Sequence, residues 1–203
     1  MMIAGTQGRQ KGFTLIETAI SLAVFLIILA TAFTSITNML TLSTASDWDM
    51  LVVTENQRGL RSIKYDLYSS SCNPHDSYHP RIVDGELRFC VVTGFNTITE
   101  KPIYSYWDNF QVCYWYDEEN HLLVRRFRDN TGQLLDEAPA QYPGPAAQTV
   151  SAYCTGFEFP EPINVNAGCL VTIKLTNSIG KEEDPRYATI TNEISVMPGK
   201  PEE

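Results

Sequence analysis

The sequence predicts an α+β fold in which one long N-terminal helix packs on an antiparallel β-sheet. Three observations predict it. No charged side chain occurs from Thr18 to Ser46. No proline precedes Pro74, and beyond the first twelve residues Gly59 is the only glycine before it. After Pro74 the chain turns to short runs rich in β-branched and aromatic residues, separated by Gly, Pro and Asn/Asp turns.

The helix is read from Phe13 to about Ser70, roughly 58 residues or ~87 Å at a rise of ~1.5 Å per residue. Its uncharged stretch exceeds the roughly 20 apolar residues that a bilayer requires, so residues 13–40 are read as a membrane span. Residues 41–73 form the second half of the helix. There Val53, Leu60, Ile63 and Leu67 recur at helical spacing, while Glu55, Arg58, Arg61, Lys64 and Asp66 fill the remaining faces. This apolar stripe needs a cover. Gly59 costs about 1 kcal/mol against alanine in a helix interior and permits a bend or close packing. Ser69 to Pro74 ends the helix.

Residues 74–203 are read as a β-rich domain outside the membrane. Strands are expected at Glu86–Thr93, Phe110–Tyr116, Leu122–Arg128, Val150–Phe159, Cys169–Thr176 and Tyr187–Val196. The turn Asp117-Glu118-Glu119-Asn120 joins the clearest hairpin. Asp136–Gln148, with Pro139, Pro143 and Pro145, reads as a loop. Asn177–Pro185 reads as a polar turn, and the residues after Pro198 as an acidic tail. Short connections favour antiparallel pairing, and a helix followed by such strands gives the α+β class.

The N-terminal residues carry their own signal. Met1–Gly12 holds Arg9 and Lys11 and no acid, which keeps this end cytoplasmic. A secretory signal peptide places its small-residue cleavage site after the apolar run, whereas Gly12 lies before it. Glu17 is the one acid at the mouth of the span. A charge near the centre of a membrane helix costs roughly 2.5–3.5 kcal/mol, and less toward its ends, so this carboxylate calls for a partner. Residues 13 and 17 are four apart and share a helix face.

Gly12-Phe13-Thr14-Leu15-Ile16-Glu17, preceded by Lys11, resembles the prepilin cleavage and methylation signature of type IV pilins and type II secretion pseudopilins. The resemblance implies a pilin-like fold and a membrane peptidase that cuts between Gly12 and Phe13 and N-methylates Phe13. It also implies that Glu17 is the filament-assembly glutamate. The new ammonium on Phe13 can neutralise Glu17 of its own chain or of a neighbouring subunit, and a paired buried carboxylate is tolerated where a lone one is not. The implied partners are prepilin peptidase, other pilin or pseudopilin subunits and an inner-membrane assembly platform. The implied location is the cytoplasmic (inner) membrane, crossed once, with the C-terminal domain periplasmic or extracellular. Many pilins carry a proline within the membrane helix; this chain does not. The order of elements, through Leu60–Leu67, Val112–Arg128 and Thr155–Phe159, is also similar to the larger minor pseudopilins of the J type. The large, irregular, loop-bearing domain fits a low-copy subunit that starts or caps a filament.

Composition narrows the remaining chemistry. The formal net charge of −9 falls to about −11 once the leader removes two of the fifteen basic residues. Such a balance argues against general binding of phosphate backbones, and no nucleic-acid partner is expected. Arg125-Arg126-Phe127-Arg128 is the one local basic run; on a strand its charges divide between two faces, and it reads as a solvated edge. The five cysteines, Cys72, Cys90, Cys113, Cys154 and Cys169, all follow the span, on the side where disulfides persist. Cys154 with Cys169 and Cys90 with Cys113 are the candidate bridges, with buried free thiols as the alternative. His75, Asp76 and His79 invite a metal reading, but a surface turn is preferred. The acidic clusters 117–120 and 182–184 lack the spaced oxygens of a calcium loop. Neither a nucleophile elbow nor a phosphate-cradling loop is present, so neither enzymatic activity nor a cofactor is expected. Tyr104, Tyr106, Trp107, Tyr114, Trp115 and Tyr116 offer a partner-binding face, with about half of them expected in the core. Two other readings stay open: a filament-tip adhesion or DNA-capture module, and an unrelated membrane-anchored binding protein that would keep Met1.

Overall fold

The computed structural model describes residues 14–70, 79–163, 169–184 and 186–198. The chain divides into two compact units, Met1–Thr44 and Ala45–Glu203. One helix, α1 (Leu15–Tyr68), runs through both. In the first unit every side chain from Leu15 to Ser43 is exposed, and α1 is long and apolar enough to cross a membrane. Its threonines are satisfied locally. Thr31, Thr34, Thr37, Thr41 and Thr44 each donate a hydroxyl hydrogen bond to a carbonyl three or four residues back, which hides the hydroxyl from an apolar solvent.

In the second unit α1 buries Val52, Asn56, Gly59, Leu60, Ile63, Asp66 and Leu67. The stripe differs from the expected one at two positions. Val52 takes the place of Val53, and Asp66, expected among the solvated faces, is fully buried. Ten strands follow. The first five are β1 (Arg81–Val83), β2 (Glu86–Phe89), β3 (Val92–Phe95), β4 (Pro102–Tyr104) and β5 (Gln111–Asp117). The rest are β6 (Leu122–Arg128), β7 (Ala147–Ser151), β8 (Cys154–Glu158), β9 (Val171–Ile179) and β10 (Ala188–Val196). They form an antiparallel five-stranded sheet in the order β1-β2-β5-β6-β7, a three-stranded sheet in the order β10-β9-β8, and the pair β3-β4. One long helix followed by antiparallel strands is the α+β arrangement that the sequence predicts.

Strand alternation divides the five-stranded sheet into two faces. Leu87, Phe89, Val112, Tyr114, Leu123 and Phe127 join Leu60, Ile63 and Leu67 of α1 in one core, with Val171, Ile173 and Leu175 of β9. Gly59 sits at the closest approach: a Cβ there would lie 2.9 Å from both Leu175 Cδ2 and Ser151 Cβ. Close packing, not a bend, is therefore what this glycine provides.

Two expected strands are each broken in two. Glu86–Thr93 splits at Cys90–Val91, where Ser105 intervenes: Val91 N donates to Ser105 Oγ and Ser105 N donates to the Val91 carbonyl. Val150–Phe159 splits at a corner whose residue Tyr153 has φ +57°. That corner passes the chain from one sheet to the other. β9 also continues to Ile179, three residues into the expected turn. β1 and β4 are short strands not expected from the sequence. The acidic tail after Pro198 lies outside the described residues.

Candidate functional site

The head of α1 is built by Thr14 and Glu17. Thr14 stands at the N-cap. Its N–H and its Oγ1–H both donate to Glu17 Oε2, at 3.0 Å each. Glu17 N–H in turn donates to Thr14 Oγ1 at 3.4 Å. This is a capping box, which satisfies two of the helix's four orphan amides reciprocally and is worth about 1 kcal/mol. Both donors meet one carboxylate oxygen, and Glu17 Oε1 accepts no hydrogen bond among the described residues. Gly12 and Phe13, the expected cleavage and methylation positions, lie outside the described residues. Thr14 is the site residue missed in the sequence, although its signal was present: Thr-x-x-Glu before an apolar run is a helix-start signature.

Three polar clusters are buried in the second unit. In the first, Asn56 Nδ2 donates to the Leu175 carbonyl at 2.8 Å and to Asn177 Oδ1 at 2.9 Å, and Asn192 Nδ2 donates to Asn56 Oδ1 at 2.8 Å. Asn177 Nδ2 continues to Ser151 Oγ, which donates to the Glu55 carbonyl. This network ties α1 to β9, β10 and the end of β7.

In the second cluster, Tyr114 donates to Asp66 Oδ2 at 2.6 Å, Arg125 Nη1 approaches the same oxygen at 3.4 Å, and Tyr142 donates to Oδ1 at 3.4 Å. Burial pushes the Asp66 carboxyl above its ordinary range, against the bonds from Tyr114 and Arg125. Burial and the Asp66 charge push the Tyr114 hydroxyl well up.

The third cluster lies on the other face of the five-stranded sheet. Glu86 Oε2 accepts from Arg88 Nε and from Arg128 Nε, at 2.7 Å each. Oε1 accepts from Arg128 Nη2 at 2.8 Å and from Arg126 Nη2. Burial opposes ionisation of Glu86, but the Arg128, Arg126 and Arg88 bonds prevail and hold its pKa down to about 2.

These clusters correct the reading of Arg125–Arg128. β6 lies between β5 and β7 and is not an edge. Its arginines do divide between faces, but Arg125 serves Asp66 while Arg126 and Arg128 serve Glu86. The cysteine bridges are corrected too. Cys90, Cys113 and Cys154 are free, buried thiols and Cys169 is fully buried, so neither Cys90–Cys113 nor Cys154–Cys169 is bridged. Burial raises the thiols of Cys90 and Cys154 to about 11 and that of Cys113 to about 12. Of the six clustered aromatics only Tyr114 is buried, fewer than the half expected in the core; Tyr104, Tyr106, Trp115 and Tyr116 are partly buried and Trp107 is 71% exposed. Cys72, His75 and Asp76 lie outside the described residues.

Residues 7–33 match the family described as the prokaryotic N-terminal methylation motif. That match supports a type IV pilin-like signature at the head of the chain and makes the chain pilin- or pseudopilin-like in its N-terminal segment. It spans Gly12, Phe13, Thr14 and Glu17 and ends inside α1. No match was found among curated proteins or among solved structures.

Proposed function

We propose that this chain is a minor pilin or pseudopilin, a structural subunit of a type II secretion pseudopilus or a type IV pilus. In this reading prepilin peptidase cuts between Gly12 and Phe13, and the mature subunit acts in filament initiation or tip assembly. The observation that carries it is the methylation motif at residues 7–33 leading into an unbroken helix with Glu17 in its first turn. The chain works by assembly, without a reaction or a cofactor of its own. Its irregular β unit, with three separate sheets and a long loop after β6, suits a low-copy position better than a repeating one.

The geometry of Thr14 and Glu17 suggests how docking proceeds. Thr14 engages Oε2, and Oε1 remains for a cation. The methylated ammonium of Phe13, of the same chain or of its neighbour, is that cation. Pairing across subunits fixes their stagger, because a carboxylate left unpaired in a low-dielectric setting is costly.

The mass of the N-terminal peptide, taken from membranes that contain the peptidase, tests the reading. Loss of residues 1–12 with one methyl group on Phe13 is expected; a peptide that begins at Met1 overturns the proposal. Glu17→Ala is expected to be cleaved as before yet to enter filaments poorly beside its partner subunits.

A further inference from the structure

The filament reading makes no use of the arginines on the outer face of the five-stranded sheet. Arg88, Arg126 and Arg128 converge there on Glu86. Three guanidinium ions share one buried carboxylate, which leaves two of the three positive charges without a buried counter-ion. Among the described residues two acids lie near the cluster, neither of them buried: Asp84, whose side chain is 86% exposed and stands 3.4 Å from Arg88, and Asp117, whose carboxyl is held below its ordinary range by its Asn120 hydrogen bond and, less strongly, by the Arg126 charge. Cys113 lies within the cluster and stays protonated, since burial lifts its thiol to about 12. A charge held out of water without a buried partner is costly, and among the described residues no second buried carboxylate joins these three arginines.

The cluster is also held in place. The Arg126 guanidinium lies 4.3 Å over the Trp115 ring. Arg128 Nη1 donates to the Gly132 carbonyl at 2.7 Å, in a turn that needs φ +92° at that glycine. The three arginine side chains remain 10–17% exposed, so they reach the surface without lying free upon it. Arg126 Nε is buried and has no hydrogen-bond acceptor. Arg125 Nε on the opposite face shares that condition, but Arg125 faces Asp66 one to one. An orphaned donor, guanidiniums that outnumber their buried carboxylate and rigid forks are the features by which planar or tetrahedral oxyanions are recognised.

We propose that Arg88, Arg126 and Arg128 form a binding site for an oxyanion, a carboxylate or a phosphate group, on the outer face of the five-stranded sheet. Glu86 orients the forks, and the incoming anion supplies a further counter-ion. The site is independent of whether the chain is processed as a pilin.

Trp115 serves as the reporter. The full-length chain in neutral-detergent micelles, with Trp48→Phe and Trp107→Phe, is titrated with sodium phosphate and separately with sodium acetate. Sodium chloride holds the ionic strength constant. A saturable change in Trp115 emission is expected, together with a rise in the thermal midpoint that follows the same saturation. Response to both anions assigns the site to carboxylates, such as an acidic side chain of a partner; response to phosphate alone assigns it to a phosphate-bearing ligand. Arg126→Gln is expected to weaken binding at least tenfold, and Arg126→Lys, which keeps the charge and loses the fork, to weaken it in part. A titration of the Trp115 reporter protein with no saturable response beyond that of chloride overturns the proposal, whatever the fate of the variants. So does an unchanged response in a folded Arg126→Gln protein, which would place the anion elsewhere.

Discussion

From Leu15 to Ser43 α1 exposes every side chain, and its threonines spend their hydroxyls on their own helix. From Val52 to Leu67 the same helix buries seven residues, two of which, Asn56 and Asp66, carry polar groups that bond to distant strands. The contrast is one of solvent. In hydrocarbon no water exists to satisfy a polar atom, so each must be closed locally. Against a sheet, a buried amide or carboxylate can be closed by a partner, and it then also fixes which strand packs where. The threonines of the first half turn their hydroxyls back on their own helix; the second half uses polarity to choose its neighbours.

Substitutions that should cost much in one half and little in the other can break this comparison. Removing Glu86 from beneath the helix-bearing sheet sets the upper scale: Glu86→Ala leaves three guanidiniums without their carboxylate, and a loss of about 3–5 kcal/mol is expected in urea unfolding. Gly59→Val forces a Cβ against Leu175 and Ser151 at 2.9 Å and is expected to cost about 3 kcal/mol, whereas Ala30→Val in the exposed half should leave the unfolding midpoint of the β unit unchanged. Asn56→Ala strands the Leu175 carbonyl and the Asn177 and Asn192 amides, for about 2–3 kcal/mol. Thr37→Val, whose hydroxyl touches only carbonyls already bonded in the helix, is expected to shift stability by under about 0.5 kcal/mol. Thr14→Ala falls between these for the helix head, at about 1 kcal/mol of local fraying, read by amide exchange in the first turn.

Acidity sharpens the comparison further, since no side chain between Thr18 and Ser46 titrates. Glu86 is held down to about 2 from an ordinary 4.5, so its contribution is present above pH 4.5 and lost as the pH falls toward 2. Asp66 has the opposite sign: its folded value lies above its ordinary 3.8, so its ionisation on the way to neutral pH costs stability. Acid unfolding curves of Glu86→Gln should therefore lose most of their slope between pH 4.5 and 2. Those of Asp66→Asn should lack the loss of stability that wild type shows as the pH rises past 3.8 and Asp66 ionises. Equal slopes in wild type and Glu86→Gln would remove Glu86 as the source.

What could be read in advance was what depends on neighbours in sequence. The charge-free run and the lack of Pro and Gly specified α1 to within two residues at each end, and Leu122–Arg128 coincides with β6. The methylation motif is likewise a local pattern. What escaped depends on residues far along the chain. Asp66 reads as a solvated acid until Tyr114 and Arg125, 48 and 59 positions away, are brought to it. Arg126 and Arg128 read as exposed until Glu86, 40 and 42 positions earlier, is placed beneath them. The corner at Tyr153 escaped because a tyrosine with φ +57° carries no signal that distinguishes it from one in a strand. Thr14 was legible, since the Thr-x-x-Glu capping pattern lies within four residues of sequence.

The Asn56 and Asp66 anchors have a mechanical consequence. Asn56 grips β9 and β10, while Asp66 grips β5 and β6 through Tyr114 and Arg125, so a load placed on α1 is shared between two separate sheets. Tension along the helix axis pulls both anchors in shear, in which the bonds of a cluster must rupture together and not one after another. A rod fastened at two depths resists being drawn out of its socket, and the ten-residue spacing between Asn56 and Asp66 in the DMLVVTENQRGLRSIKYDLY stretch adds an offset that a single anchor would lack.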